Sequence, residues 1–266
     1  AVDITVSGAS GAGGTGGTGT AGDGVAGGVF GTTGGRAIID TSGTSEGVGA
    51  IALGATTIAA NGDAAGRIEI LNTGNISFTS LTAEALGSAP PTNNDTDEAP
   101  AGIFFAATGG NISTSGNMTL TTDSSFGTYA QSNGTVTIGG DLAIAAGDQI
   151  DIRHDSREGT APTIAATGSL TATAASISGA PGSSLAAAGN MSLTSTLGGI
   201  GVDRLDGNNI VIAAAGAASV EHAEAAVNFT ASGASFRTGL NSIITGANIL
   251  VTSPGAVDLG NSTAGG

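Results

Sequence analysis

The sequence predicts an all-β chain wound as a parallel β-solenoid of about 20 residues per coil. Three observations carry that expectation: a composition dominated by small residues, a recurring turn-plus-strand unit, and the near absence of helical periodicity. Of 266 residues, 48 are glycine and 47 alanine, while aromatics make up 3%. A core built on Phe, Tyr and Trp is therefore not expected, and packing falls to Val, Ile, Leu and Ala. Such a core is thin and repeats along an axis. Disorder does not fit the composition, because only 10% of residues are charged and the mean hydropathy is +0.26.

The repeating unit is a glycine, then Asn or another turn residue, then an alternating apolar and hydroxyl run. Its clearest copies are Gly74-Asn75-Ile76-Ser77-Phe78, Gly116-Asn117-Met118-Thr119-Leu120 and Gly189-Asn190-Met191-Ser192-Leu193. Looser copies begin at Gly134, Gly140, Gly168, Gly207 and Gly246. Gly-Asn suits a tight turn with positive φ, and the period-2 run after it turns one face inward and the other outward. Glycines 116 and 134 stand 18 apart, 168 and 189 stand 21 apart, 189 and 207 stand 18 apart, and 207 to 246 makes two such steps. Strands stacked at that interval predict about 13 coils and a rod on the order of 60 Å. Ile, Val, Leu and Ala are expected inside, with Thr, Ser, Asn and Asp outside.

Taken along the chain, residues 1–87 read as a glycine-rich amino-terminal part of the solenoid, with 14 glycines between positions 8 and 35. Residues 88–101 hold three prolines and the run Asn93-Asn94-Asp95-Thr96-Asp97-Glu98, and read as a loop leaving the coil. Residues 102–266 form the main solenoid. The best helical stretch, 219–227, also alternates as a strand, and solenoid continuity favours the strand.

Cysteine and lysine are absent, and six arginines face 21 acidic residues for a net charge of −15. Phosphate-backbone binding needs clustered Lys and Arg, so nucleic acid is not an expected partner. No run approaches the roughly 18 apolar residues of a membrane-spanning helix, so membrane insertion is not expected. Ala1-Val2-Asp3 shows no basic signal-peptide region, which reads as a mature end or a cut segment.

The Gly-Asn-x-Thr/Ser-Leu units, with alanine-rich, glycine-punctuated runs such as 205–228, resemble the repeats of filamentous-haemagglutinin-type adhesins exported by two-partner secretion, and those of autotransporter passengers. The resemblance covers residues 70–266; the amino-terminal secretion cap of whole adhesins has no counterpart in it. It implies a right-handed parallel β-helix on the bacterial surface or in an extracellular biofilm matrix. It also implies a non-enzymatic, adhesin-like role with glycans or proteins of a host or cell surface as partners.

Candidate sites are few. The most charged stretch holds Asp148, Asp151, Arg153 and Asp155, the only group suited to a β-helix polysaccharide lyase or hydrolase, the alternative to an adhesin. Alternation of Ile150 and Ile152 with Asp151 and Arg153 equally describes a strand with a polar outer face. Asp95, Asp97 and Glu98 offer oxygens to Ca²⁺, the one candidate cofactor, without the EF-hand glycine or distal Glu. His154 and His222 lack partners for a zinc site. Gly14-Thr15-Gly16-Gly17-Thr18-Gly19, with Asp40 downstream, matches a dinucleotide fingerprint, but residues 20–28, where the phosphate-binding helix would start, are among the poorest of helix formers. Eight Asn-x-Ser/Thr sequons occur, and those at Asn75, Asn111, Asn117, Asn190 and Asn228 are candidate glycan acceptors, although the turn unit itself generates the motif. Thr-x-Thr rows of the kind that bind ice need identical positions coil after coil, and the irregular spacings argue against them. Finally, joining Gly266 to Ala1 recreates the Gly255-Ala256-Val257-Asp258 unit. End-to-end stacking into a homopolymer through Val2, Ile4, Val257 and Leu259 is therefore expected, since unblunted strand edges pair.

Overall fold

The computed structural model describes residues 2–8, 36–40, 50–64, 66–72, 74–89, 102–107, 110–130, 134–154 and 163–264. These residues form strands and turns with no helix, and every strand pairing among them is parallel. The chain is all-β, as its β-branched, glycine-rich composition requires.

Pairing sorts the strands into three ladders. In the first, Ala37, Ile68, Ile103, Phe126, Ile150, Ile177, Ile200, Ala218, Phe236 and Val257 stand in register. In the second, the register runs Ile51, Ile76, Ile112, Val136, Ile164, Leu185, Leu205, Ala223, Ile244 and Ser262. In the third it runs Val2, Thr56, Leu81, Met118, Leu142, Leu170, Met191, Ile210, Phe229 and Ile249. From Arg67 onward the chain visits the ladders in that order and returns to the first one layer later. The long strand Ile76–Ala85 serves the second and third ladders and Ile200–Ala214 serves all three, so ten strands of the second and third ladders close into a parallel barrel-like ring with the rest outside it.

The inward residues of all three ladders form one hydrophobic cluster, reaching from Ala37 to Ile244. Each complete layer contributes about two inward side chains per ladder, the period-2 consequence of a pleated strand. In the layer of Ala217–Ser232, Ala218, Val220, Ala223, Ala225 and Ala231 are buried beside Phe229. One large ring makes up the volume that four alanines leave open, as close packing demands. Aromatics therefore matter more than composition suggests: Phe105, Phe126, Phe229 and Phe236 are the largest fully buried side chains, and Phe105 meets Phe126 edge-on at 5.5 Å. Two of the buried hydroxyls bond locally, Thr114 to the Gly116 carbonyl at 2.8 Å and Ser195 to that of Gly198 at 2.8 Å.

The register corrects three expectations. Gly116 and Gly134 do not head equivalent units, because Met118 belongs to the third ladder and Val136 to the second. From Leu170 onward the step along the third ladder is 19–21 residues, but earlier steps are longer, and Leu81 to Met118 takes 37. Among the described residues the longest registers have ten rungs and span about 43 Å at the usual strand spacing. Positive φ is not what the turn glycines supply: among the described residues only Gly102 and Gly182 have it. A Cβ on Gly140 would lie 2.2 Å from Asn117 Oδ1, and one on Gly168 would lie 2.2 Å from Asp141 Oδ1. Glycine is there because the turn side chain of the preceding layer occupies that space.

Stretch 219–227 lies within the strand Ala217–Ser232. Ser88, expected to open the loop, belongs to the short strand Gly87–Ala89, while 90–101 and the glycine-rich 9–35 lie outside the described residues.

Outward, the third ladder presents two adjacent rows. One comprises Thr57, Thr82, Thr119, Ala143, Thr171, Ser192, Val211, Thr230 and Leu250; the other, two residues along each strand, Ala59, Glu84, Thr121, Ala145, Thr173, Thr194, Ala213, Ser232 and Thr252.

Candidate functional site

Asp151 lies on the outer row of the first ladder, which reads Glu69, Phe104, Gly127, Asp151, Ser178, Gly201, Ser219, Arg237 and Asp258. The strand Gln149–His154 places it there by alternation, burying Ile150 and Ile152 at 1% exposure each. Ser178 Oγ donates to Asp151 Oδ1 at 3.3 Å and accepts from Gln149 Nε2 at 2.7 Å. Asp148, on the preceding turn, accepts from Ser125 Oγ at 3.3 Å. Arg153 is paired by its backbone to Tyr129, and its side chain and Asp155 lie outside the described residues.

Further along the same surface is a hollow of about 420 Å³ lined by Ser178, Gly179, Pro181, Gly201, Asp203 and Glu221, among others. The lining carboxylates, Asp203 and Glu221, escape sequence reasoning because they lie 52 and 70 residues from Asp151 and reach its face only through layering. The local signal for Asp203 is Pro181-Gly182. The turn Ala180 to Ser183 closes with a 2.9 Å backbone bond, Gly182 has φ +85°, and its amide donates to Asp203 Oδ2. Phe104 lies across Gly127, where a Cβ would stand 3.1 Å from its ring. An aromatic ring thus reaches the surface two rungs from Asp151. Glu69, beneath Phe104 in the same row, is buried in an ion pair with Arg67.

A second polar group, around a hollow of about 490 Å³, sits on the outer side of the second ladder. Arg204 bonds both oxygens of Asp206, Nε to Oδ2 at 2.9 Å and Nη2 to Oδ1 at 3.2 Å, and reaches Glu224 Oε1 at 3.0 Å. The hydrogen bond to Asp206 raises the guanidinium above its ordinary value, against partial desolvation, and the charges of Asp206 and Glu224 add to it. The group is solvent-exposed and clips adjacent layers together for under about 1 kcal/mol.

Of the candidate sequon asparagines, Asn75, Asn111, Asn117 and Asn190 stand just before a strand, and Asn228 lies inside the strand Ala217–Ser232, where it joins a side-chain ladder with Asn209 and Asn248. Asn209 Nδ2 donates to Asn190 Oδ1 at 2.8 Å, Asn228 to Asn209 at 2.7 Å and Asn248 to Asn228 at 2.9 Å, a four-rung ladder one residue before the third ladder of strands. Asn117 and Asp141 hold the same position in earlier layers, accepting from the amides of Asp141 and Ser169 at 2.9 and 2.7 Å. Asn75 and Asn111 form a parallel set before the second ladder, accepting from the amides of Asn111 and Thr135.

Asp95, Asp97, Glu98 and the glycine fingerprint 14–19 lie outside the described residues. Among the described residues no three His, Asp or Glu side chains are grouped to hold a metal ion. His222 stands in register with Arg204 and Ile243. Of the end positions, Val257 and Leu259 are 45% and 40% exposed, whereas Val2 and Ile4 are described only by their pairing with Thr56 and Ile58. No family model matches the chain, and no curated protein or solved structure is significantly similar to it.

Proposed function

We propose that the chain is a right-handed parallel β-helix acting as a non-enzymatic, adhesin-like scaffold on a bacterial surface or in its extracellular matrix. The single observation that carries this reading is the ten-rung register repeated on three ladders around one apolar cluster. A chain that visits three ladders in order and returns one layer later describes a helix of strands, and the right hand follows the preference of parallel strand–crossover–strand connections. The product is length with a repeating outer face, which suits display of glycan- or protein-binding surface. The test is adhesion of cells displaying residues 1–266 to glycan and protein arrays. Binding above that of cells displaying an unrelated β-protein is expected, and its absence would count against the reading.

The alternative, a carbohydrate-active enzyme, draws support from one specific observation: Phe104 and Asp151 share an outer row beside the hollow that holds Asp203 and Glu221. Turnover of an acidic polysaccharide that disappears in Asp151→Asn would establish it over the scaffold reading.

A further inference from the structure

We propose that the outer face of the third ladder binds ice, as a rigid array that holds water in crystalline positions. The irregular spacing of the units in the sequence argued against such a face; the register aligns them all the same, with Thr or Ser at 11 of 18 outer positions rather than one residue repeated coil after coil. The paired strands keep one register whatever the length of chain between them, and among the described residues the two outer rows run unbroken over nine layers. The two breaks of register lie elsewhere, between Gly207 and Asn209 and between Val220 and His222.

Three features select ordered water over other occupants. Of the 18 positions in the two rows, 11 are Thr or Ser and four Ala, and the one charge, Glu84, is held by Asn61 Nδ2 at 2.9 Å. Val211 and Leu250 complete the rows, and the face is close to neutral, as befits a chain of which only 10% is charged. A neutral face spares bound water from the radial ordering that ions impose. Second, the rows form a two-dimensional net, about 4.8 Å between layers and about 6.6 Å between rows, spacings in the range of oxygen repeats in ice. Third, Thr is stiff at χ1, so its hydroxyl and methyl are pre-set and little freedom is lost when water freezes onto them. The rows lack the Trp, Tyr and Arg anchors of protein interfaces, the aromatic platforms that stack sugars, and the cations that hold polyanions.

The experiment measures crystal growth in a frozen sucrose solution, with circular dichroism to establish that each protein is folded. Thr171→Tyr with Thr194→Tyr places two bulky groups on the face; Thr137→Tyr places one on the outer row of the second ladder, where Thr137 pairs with Ser113 and Ala165. Wild-type protein is expected to arrest recrystallisation and to facet single crystals. The double variant should need about tenfold more protein, the loss of one or two weak water contacts per site, and Thr137→Tyr should match wild type. Folded wild-type protein that leaves ice growth where serum albumin leaves it overturns the proposal, as does equal loss in the Thr137 control. The inference does not depend on adhesion: a chain inert towards ice can still bind a cell surface, and the reverse.

Discussion

At the scale of single residues, tolerance depends on which side of the strand a position faces. Ile210 is fully buried between Met191 and Phe229 in the third ladder. Ile210→Asp would bury a charge with no partner in a core whose neighbouring layers leave it no exit, and should cost about 4 kcal/mol or more in chemical denaturation. The turn glycines obey a different rule. Gly140→Ala would drive a methyl to within 2.9 Å of the Gly116 carbonyl carbon as well as onto Asn117 Oδ1. Since Gly140 does not require positive φ, the cost is steric, about 1–3 kcal/mol by overpacking. Removing the obstructing side chain in Asn117→Gly should recover only part of it, because the backbone contact remains; full recovery of the melting midpoint in the double variant would refute the backbone contribution.

At the scale of elements, the asparagine ladder ties successive layers in a way that strand pairing alone does not. Asn209 both donates to Asn190 and accepts from Asn228, whereas Asn248 only donates. At about 1 kcal/mol per bond, Asn209→Ala should cost about 2 kcal/mol and Asn248→Ala about 1. Equal costs in urea unfolding would mean that the amides interact with water as well as with one another. Half of this ladder was legible: Gly-Asn before an alternating run marks Asn117 and Asn190 without any structure. The other half was not: no glycine stands before Asn228, and although Asp141 and Ser169 read as looser copies of the unit, nothing in the sequence says that they share the asparagines' register. The irregular spacing hid the outer hydroxyl rows for a related reason. Loop length between strands is weakly constrained energetically, so extra residues collect in the turns while the paired strands stay aligned. Alternation reveals which residues of a strand face out; it does not reveal which strand lies above which. That is why Asp151 could be assigned an outward face from sequence, and why its neighbours Phe104 and Ser178 could not be named.

At the scale of the molecule, a stack of layers has stability that is nearly a sum of layer and interface contributions, and its exposed edge is where that sum is incomplete. The layer of Asn248–Thr252, Val257–Asp258 and Asn261–Ala264 pairs with described strands on one side only. Its inward side chains are correspondingly open, Val257 and Leu259 being 45% and 40% exposed. Parallel N–H and C=O groups with no partner among the described residues, flanked by apolar side chains, can template another strand, and the usual guard against this, a lysine on the edge, is missing from a chain that has none. A further layer supplied by a second copy would extend the register and bury these residues. The 266-residue chain is therefore expected to show a scattering mass that rises with concentration, and elongated particles in electron micrographs. Val257→Lys with Leu259→Lys puts two like charges at the open end of the first ladder's inward register, where both side chains are still 45% and 40% exposed, and should return the mass to that of one chain while the circular dichroism spectrum stays unchanged. A wild-type chain that scatters as a monomer at every concentration reached would refute stacking through this edge.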